Sequence, residues 1–243
     1  MARRQGMRDG PGTLPELEAT LGHRFVRPEL LEQALRHRSA AHEQGVPSFE
    51  RLEFLGDAAL SHAVAAMLFA RWPEASEGEL TRARAALVRE ASLAGLAERL
   101  GLPGALQLGS GLREGSAGPA VLADALEAVL GALLLDGGWR SFRAAVKRLF
   151  APLASTLDPA QLALEEPKST LQELAQKQGL PLPLYREVQV RGPAHRRVYV
   201  YEVEFGGEVL ARGEGPSKKA AQQEAARRAL QTLEGTDVSG REG

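Results

Sequence analysis

One run, Ala120–Leu135, constrains this chain more than any other segment. It is built from Ala, Val, Leu and a single Gly, and its only charges are Asp124 and Glu127. Such a run folds as a helix buried on nearly every side. Two acids three residues apart share one face of that helix. No Lys or Arg within the run can neutralise them, and an ionised carboxylate in apolar surroundings is costly unless it is paired. Arg51–Leu60 repeats the pattern, with Glu53 and Asp57 four apart in an apolar-rich stretch. If the two helices pack together, four carboxylates converge on one small volume. Oxygen ligands in that number suit Mg²⁺ or Mn²⁺ rather than zinc, and such an ion suits hydrolysis at phosphate. Spacing alone leaves a second reading open, two helices with ordinary solvated acids, because surface helices are rich in such pairs.

The periodicity of the chain changes once. Before residue 184 it is helical wherever it is regular. Leu14–Leu21 and Pro28–His37 have helical apolar spacing. A long helix is expected from an N-cap at Ser48 to about Trp72, stopped by Pro73. Shorter helices follow at Glu79–Val88, begun by Ser76 or Glu77, and at Ser92–Leu100. Gly104–Pro119 is rich in Gly, Ser and charge and reads as a mobile loop. Ala120–Leu135 is closed by Gly137-Gly138, and Trp139–Leu157 is amphipathic. The first part is therefore all-α, over residues 13–158. Residues 159–166 read as a linker. A helix at Lys168–Gly179 is then followed by alternating segments at Tyr185–Arg191 and Arg197–Phe205, a Gly206-Gly207 hairpin signal, a third strand at Glu208–Arg212, and a helix at Ser217–Leu233 capped by Ser217. This is a small α+β unit of order α-β-β-β-α over residues 167–235, with a disordered tail at 236–243. Tyr199, Tyr201, Val203 and Phe205 fall on one face of their strand, and the aromatics are assigned to the sheet–helix core rather than to base stacking.

Composition narrows the functional classes. The 243-residue chain has no cysteine. That removes disulfides, thiolate nucleophiles and cysteine–zinc sites, and it fits a reducing cytoplasm. The N-terminus has basic residues without an apolar core behind them, so it reads as a flexible start and not a signal peptide. No apolar run is long and clean enough to span a bilayer. The net charge of −1 hides an asymmetry: Pro167–Glu234 holds 11 Lys+Arg against 8 Glu, a net +3, leaving −4 for the rest. A basic unit beside an acidic one suits a protein that holds an anionic polymer with one part and does metal chemistry with the other.

The residues also match a family. Glu50-Arg-Leu-Glu-Phe-Leu-Gly-Asp57 resembles the signature octapeptide of bacterial ribonuclease III. Ala34–Ser39, Glu77–Val88 and Val121–Gly131 are similar to that family's flanking blocks, in the expected order. The resemblance runs from about Leu14 to Leu233. It implies metal ligation by Glu53, Asp124 and Glu127, with Asp57 and Glu127 catalytic. Glu50 matches an acid near the subunit interface and cleavage groove, and Glu77 one that positions RNA. It further implies a homodimer that cuts both strands of duplex RNA, leaving 5′-phosphates, 3′-hydroxyls and short 3′ overhangs. An isologous two-fold interface matches a near-two-fold duplex. The match departs at Arg36 and Ala40, at Ala58-Ala59 and at Gly118–Ala120, and leaves the four acids untouched.

In the second unit, Lys168–Leu174, Val190–His195 and Gly215–Ala221 resemble the three contact elements of double-stranded RNA-binding domains, which read shape across two minor grooves over about 16 base pairs. The resemblance implies that Gln172 and Gln176 meet ribose hydroxyls, and that the loop Gly192–His195, with Pro193 and His195, enters the next minor groove. Ser217, Lys218 and Lys219 would hold phosphates at a helix N-terminus. Gln222 stands where many such domains carry a further Lys. His62 reads as a core histidine, and His37 as holding local structure. The leading expectation is a Mg²⁺-dependent (Mn²⁺-tolerant) endoribonuclease in the cytoplasm. It would process ribosomal, messenger and transfer RNA precursors without a membrane or an organic cofactor. The alternatives are a cleavage-defective RNA-binding or ribosome-assembly factor, and a dimeric metal-binding structural protein.

Overall fold

The computed structural model describes residues 13–111, 117–158, 162–164, 166–193 and 196–239, with side chains through Leu233. The expectations for the N-terminal start, part of the 104–119 loop, half of the linker, His195 and the end of the tail fall outside those residues. The chain divides into two compact units, at Leu157/Asp158.

The first unit is helical. It contains α1 (Leu14–Leu21), α2 (Pro28–Ala34), α3 (Arg38–Gln44), α4 (Glu50–Arg71), α5 (Glu77–Val88), α6 (Glu90–Arg99), α7 (Leu102–Ala105) and α8 (Pro119–Ser155). α8 is the axis of the unit. Leu126, Leu130, Leu133, Phe142 and Phe150 are almost fully buried along it, and α4, α6 and α2 pack on it. The Gly137-Gly138 pair closes the first of two helical segments within α8, as expected. The chain bends at Gly138, where φ is 68° and ψ 179°, and continues helical to Ser155.

Three elements differ from expectation. Pro28–His37 ends early, at Ala34, and a separate helix, α3, begins at Arg38 with His37 as its N-cap. The break is held by backbone bonds from Gln107 N to Leu35 O at 2.8 Å and from His37 N to Gln107 O at 3.0 Å. The N-cap of α4 is Phe49 rather than Ser48. Phe49 is buried, its N–H bonds Arg36 O at 3.0 Å and its ring packs edge-on against His37, so packing fixes the helix start. α4 is also long and apolar enough by length and composition to cross a bilayer, contrary to the sequence reading. Its Leu60, Val64 and Leu68 are buried within this unit, however, and it packs along α8, as a core helix does.

The second unit contains α9 (Pro167–Lys177), β1 (Leu184–Arg191), β2 (Val198–Phe205), β3 (Glu208–Gly215) and α10 (Lys218–Ser239). The strands form an antiparallel sheet in the order β1-β2-β3. The Gly206-Gly207 turn has positive φ at both residues, as the tight hairpin requires. Val203 and Phe205 pack against Leu171 and Ala175 of α9 and Ala225, Ala226, Ala229 and Leu230 of α10. Tyr201 is 6% exposed and Phe205 is buried, so these two aromatics belong to the core, while Tyr199 is only half-buried. α10 runs through Ser239, past the expected end of ordered chain at 235.

Candidate metal centre and nucleic-acid interface

Three of the four expected acids meet. Carboxylate oxygens of Glu53 on α4 and of Asp124 and Glu127 on α8 all lie within 4.8 Å of one another. Asp57 stands outside this triple, one turn further along α4, and is exposed. None of the four makes a hydrogen bond or ion pair among the described residues. Burial raises the pKa of Glu53, and Asp124, Glu50 and Asp57 raise it further. Asp124 is raised by burial and then by Glu90, against the opposing influence of His37 and Arg38. Glu127 is pushed up to about 8, first by burial and then by Asp57, Asp124 and Glu53.

A third acid on α8 supplies the contrast. The sequence reading passed over Asp136, which lies just beyond the apolar run. Its buried carboxylate accepts hydrogen bonds from His23 Nε2 at 2.7 Å, Val26 N at 2.9 Å and Arg27 N at 2.9 Å. These bonds, with one from the Arg27 side chain, outweigh burial and hold its pKa at about 2. The fold therefore satisfies Asp136 with its own donors, and among the described residues none donates to Glu53, Asp124 or Glu127. Unneutralised carboxylates this close repel one another, and a hard divalent cation removes that repulsion. The donor set fits such an ion.

His37 Nδ1 lies 2.8 Å from Ser39 Oγ and 3.2 Å from Ser39 N, so the ring caps α3, and burial together with Arg38 lowers its pKa. It holds local structure, as expected. Glu50 is exposed and accepts from Ser48 Oγ at 2.8 Å. Glu77 is exposed in the first turn of α5 and accepts from Thr81 Oγ1 at 2.9 Å. His62 is not a core residue: it is exposed, with its ring tilted 5.2 Å from that of Trp139. Phe54, between Glu53 and Asp57, is 80% exposed. The spacing signal that found the acids says nothing about this outward face.

In the second unit, Gln172 and Gln176 are exposed and four apart on α9. Pro193 is exposed in the β1–β2 connection. Ser217 Oγ accepts from Ala220 N at 3.1 Å and caps α10. Lys218 and Lys219 are exposed in its first turn. Lys218 is already paired, its Nζ 2.9 Å from Glu187 Oε2. Gln222, one turn on, accepts from Lys168 Nζ at 2.7 Å, and that ammonium sits 4.6 Å over the Tyr185 ring. An ammonium from α9 thus stands beside the position where a further Lys was missed.

Comparison with known proteins agrees with both halves. Residues 27–153 match a family described as ribonuclease-III-like, and residues 167–233 match the double-stranded RNA binding motif. The chain is 45% identical over 221 residues to ribonuclease 3 of Thiobacillus denitrificans, covering 90% of this chain and 96% of that protein. It is 44% identical over 225 residues to ribonuclease 3 of Bordetella petrii, covering 91% and 87%. The crystal structure of the nuclease domain of ribonuclease III from Campylobacter jejuni superposes with a TM-score of 0.55 at 35% identity, covering 60% of this chain and 98% of that domain. A second structure of that domain, described by its flexibility in a region involved in dimer formation, gives 0.54 at 36% identity, covering 58% and 97%.

Proposed function

We propose that this chain, which belongs to the ribonuclease III family and is a double-stranded-RNA endonuclease, holds a divalent cation on Glu53, Asp124 and Glu127, with Mg²⁺ the physiological ion and Mn²⁺ a substitute. The observation that carries this reading is the triple of carboxylates without a donor among the described residues, two of them on the same helix as the fully satisfied Asp136. When bound, the cation supplies charge stabilisation at the phosphoryl group and activates water for attack on phosphorus. Glu127 serves both as ligand and as catalytic acid. Asp57, exposed beside the triple, orients the attacking water and takes up its proton. Glu50, whose charge acts on Glu53, and Glu77 position the RNA backbone. Gln172, Gln176, Pro193 and His195 meet successive minor grooves, while Ser217, Lys218 and Lys219 hold the phosphates between. The products carry 5′-phosphates and 3′-hydroxyls with short 3′ overhangs. Two copies associate through the exposed face of α4 around Phe54, so that two sites address the two strands. The substrates are structured precursor transcripts in the cytoplasm, ribosomal RNA among them.

Single-turnover cleavage of a duplex RNA with Mg²⁺, beside a gel shift in chelator, tests this. Wild type cuts and binds. Glu127→Ala binds with unchanged affinity and cuts at least a thousandfold more slowly (about 4 kcal/mol of lost transition-state stabilisation). Residual cleavage close to wild type removes Glu127 from the site. Binding without cleavage by the wild type favours an RNA-binding assembly factor instead.

A further inference from the structure

We propose that Glu187 is a built-in counter-anion for the phosphate-binding end of α10: it holds the Lys218 ammonium in the RNA-free protein and competes with RNA phosphate for it, weakening duplex binding and making it less sensitive to salt. This rests on the reading of Lys218 and Lys219 as phosphate contacts.

The geometry is specific. Glu187 lies on β1 directly opposite Tyr201 of β2. A β-bulge follows it, between Glu187 and Gln189, and such bulges re-aim side chains. Its Oε2 accepts from Tyr201 Oη at 2.9 Å and meets Lys218 Nζ at 2.9 Å. Tyr201 is buried in the core of the unit, so the acid is tied to a rigid element. The Lys218 side chain is 63% exposed on a flexible stem. An arriving phosphate must therefore draw the ammonium off a fixed carboxylate. Lys219 makes no ion pair among the described residues. The two neighbouring lysines thus start from different states.

That difference has a thermodynamic signature. A lysine that neutralises phosphate releases the phosphate's condensed counterion, and each contact adds about 0.9 to the slope of log affinity against log salt in duplex DNA. When Lys218 leaves Glu187, the bared carboxylate recruits a cation from solution and cancels most of that release. Lys219 then contributes nearly a full contact to the slope, and Lys218 only a fraction of one.

Duplex RNA binding by the full chain in chelator, measured across a salt series, tests the proposal. Glu187→Gln is expected to steepen the slope by about 0.5–0.9. It should also tighten binding at low salt about two- to fivefold, the size of one exposed ion pair. Tyr201→Phe, which loosens the acid without removing its charge, shifts both in the same direction by less. In a Lys218→Ala background Glu187→Gln loses most of its effect. An unchanged slope in Glu187→Gln, weaker binding, or a gain that survives Lys218→Ala overturns the role of Glu187. If Lys218→Ala with Lys219→Ala leaves duplex affinity untouched, the phosphate assignment itself falls and this inference with it. Should Glu187→Gln melt early, Tyr201→Phe and the Lys218→Ala background decide.

Discussion

Gly56 on α4 and Gly131 on α8 stand against each other's helix backbone: a Cβ on Gly56 would overlap the Glu127 carbonyl, and one on Gly131 the Leu52 carbonyl. Each glycine costs its helix roughly 1 kcal/mol relative to Ala. What the pair permits is contact of the two backbones, and that contact brings Glu53 within ligand distance of Glu127. The separation of the acids is set by the two residues without side chains between them.

Gly56→Ala is therefore expected to force α4 away from α8. Overpacking of this kind costs about 1–3 kcal/mol, read as a lower melting temperature and denaturant midpoint. Cleavage should fall further than the loss of folded protein explains, while duplex binding, which belongs to the second unit, stays within about twofold. Wild-type melting together with wild-type cleavage would show that the close crossing is not required.

The carboxylate triple makes metal-free stability depend on pH. Glu127 in the folded chain holds its proton to about 8, against 4.5 ordinarily. The folded state binds more protons between those values, so Glu127's contribution is complete below pH 4.5 and is lost as pH rises through 8. A divalent ion replaces the proton. Mg²⁺ should therefore raise the melting temperature clearly at about pH 8 and little at about pH 5, and Glu127→Gln should flatten both dependences. Equal Mg²⁺ stabilisation at both pH values, or its persistence in Glu127→Gln, would place the ion elsewhere.

Asp136 titrates in the opposite sense. Its pKa is held at about 2, below the ordinary 3.8. The unfolded chain binds the extra proton, so Asp136's stabilisation is full above pH 3.8 and disappears as pH falls through 2. Asp136→Asn should destabilise the first unit near neutrality by on the order of 1 kcal/mol after solvent screening. The gap from wild type should close in strong acid. A constant gap across that range would mean that its hydrogen bonds, and not its charge, carry the effect.

Phe54 puts the proposed dimer at risk. It is 80% exposed on the helix that carries Glu53 and Asp57. Burying one such side chain on each side of a two-fold interface is worth about 1.5–3 kcal/mol per side. Phe54→Ala should thus weaken self-association on the order of a hundredfold or more, measured by sedimentation, with each monomer still folded. Unaltered association moves the interface off this face.

The sequence by itself determined the periodicities and the chemistry. Helical spacing without strands before residue 184, alternation after it, the hairpin glycines and the Ser217 cap of the last helix were enough for an all-α unit and an α-β-β-β-α unit, because both are local patterns. Acids in an apolar helix imply neutralisation, so Glu53, Asp57, Asp124 and Glu127 could be named as candidates from spacing and composition, and the family resemblance singled out Glu53, Asp124 and Glu127 among them as ligands. Tertiary structure decided what depends on partners distant in the chain. Phe49, pinned by Arg36 and His37, moved the start of α4. His62 came out on the surface. Asp136 found its donors more than a hundred residues away, Asp57 fell outside the ligand triple, and Glu187 reached Lys218 across the sheet. Periodicity records which face a residue occupies along its own element. Only the crossing of one element over another fixes what that face meets.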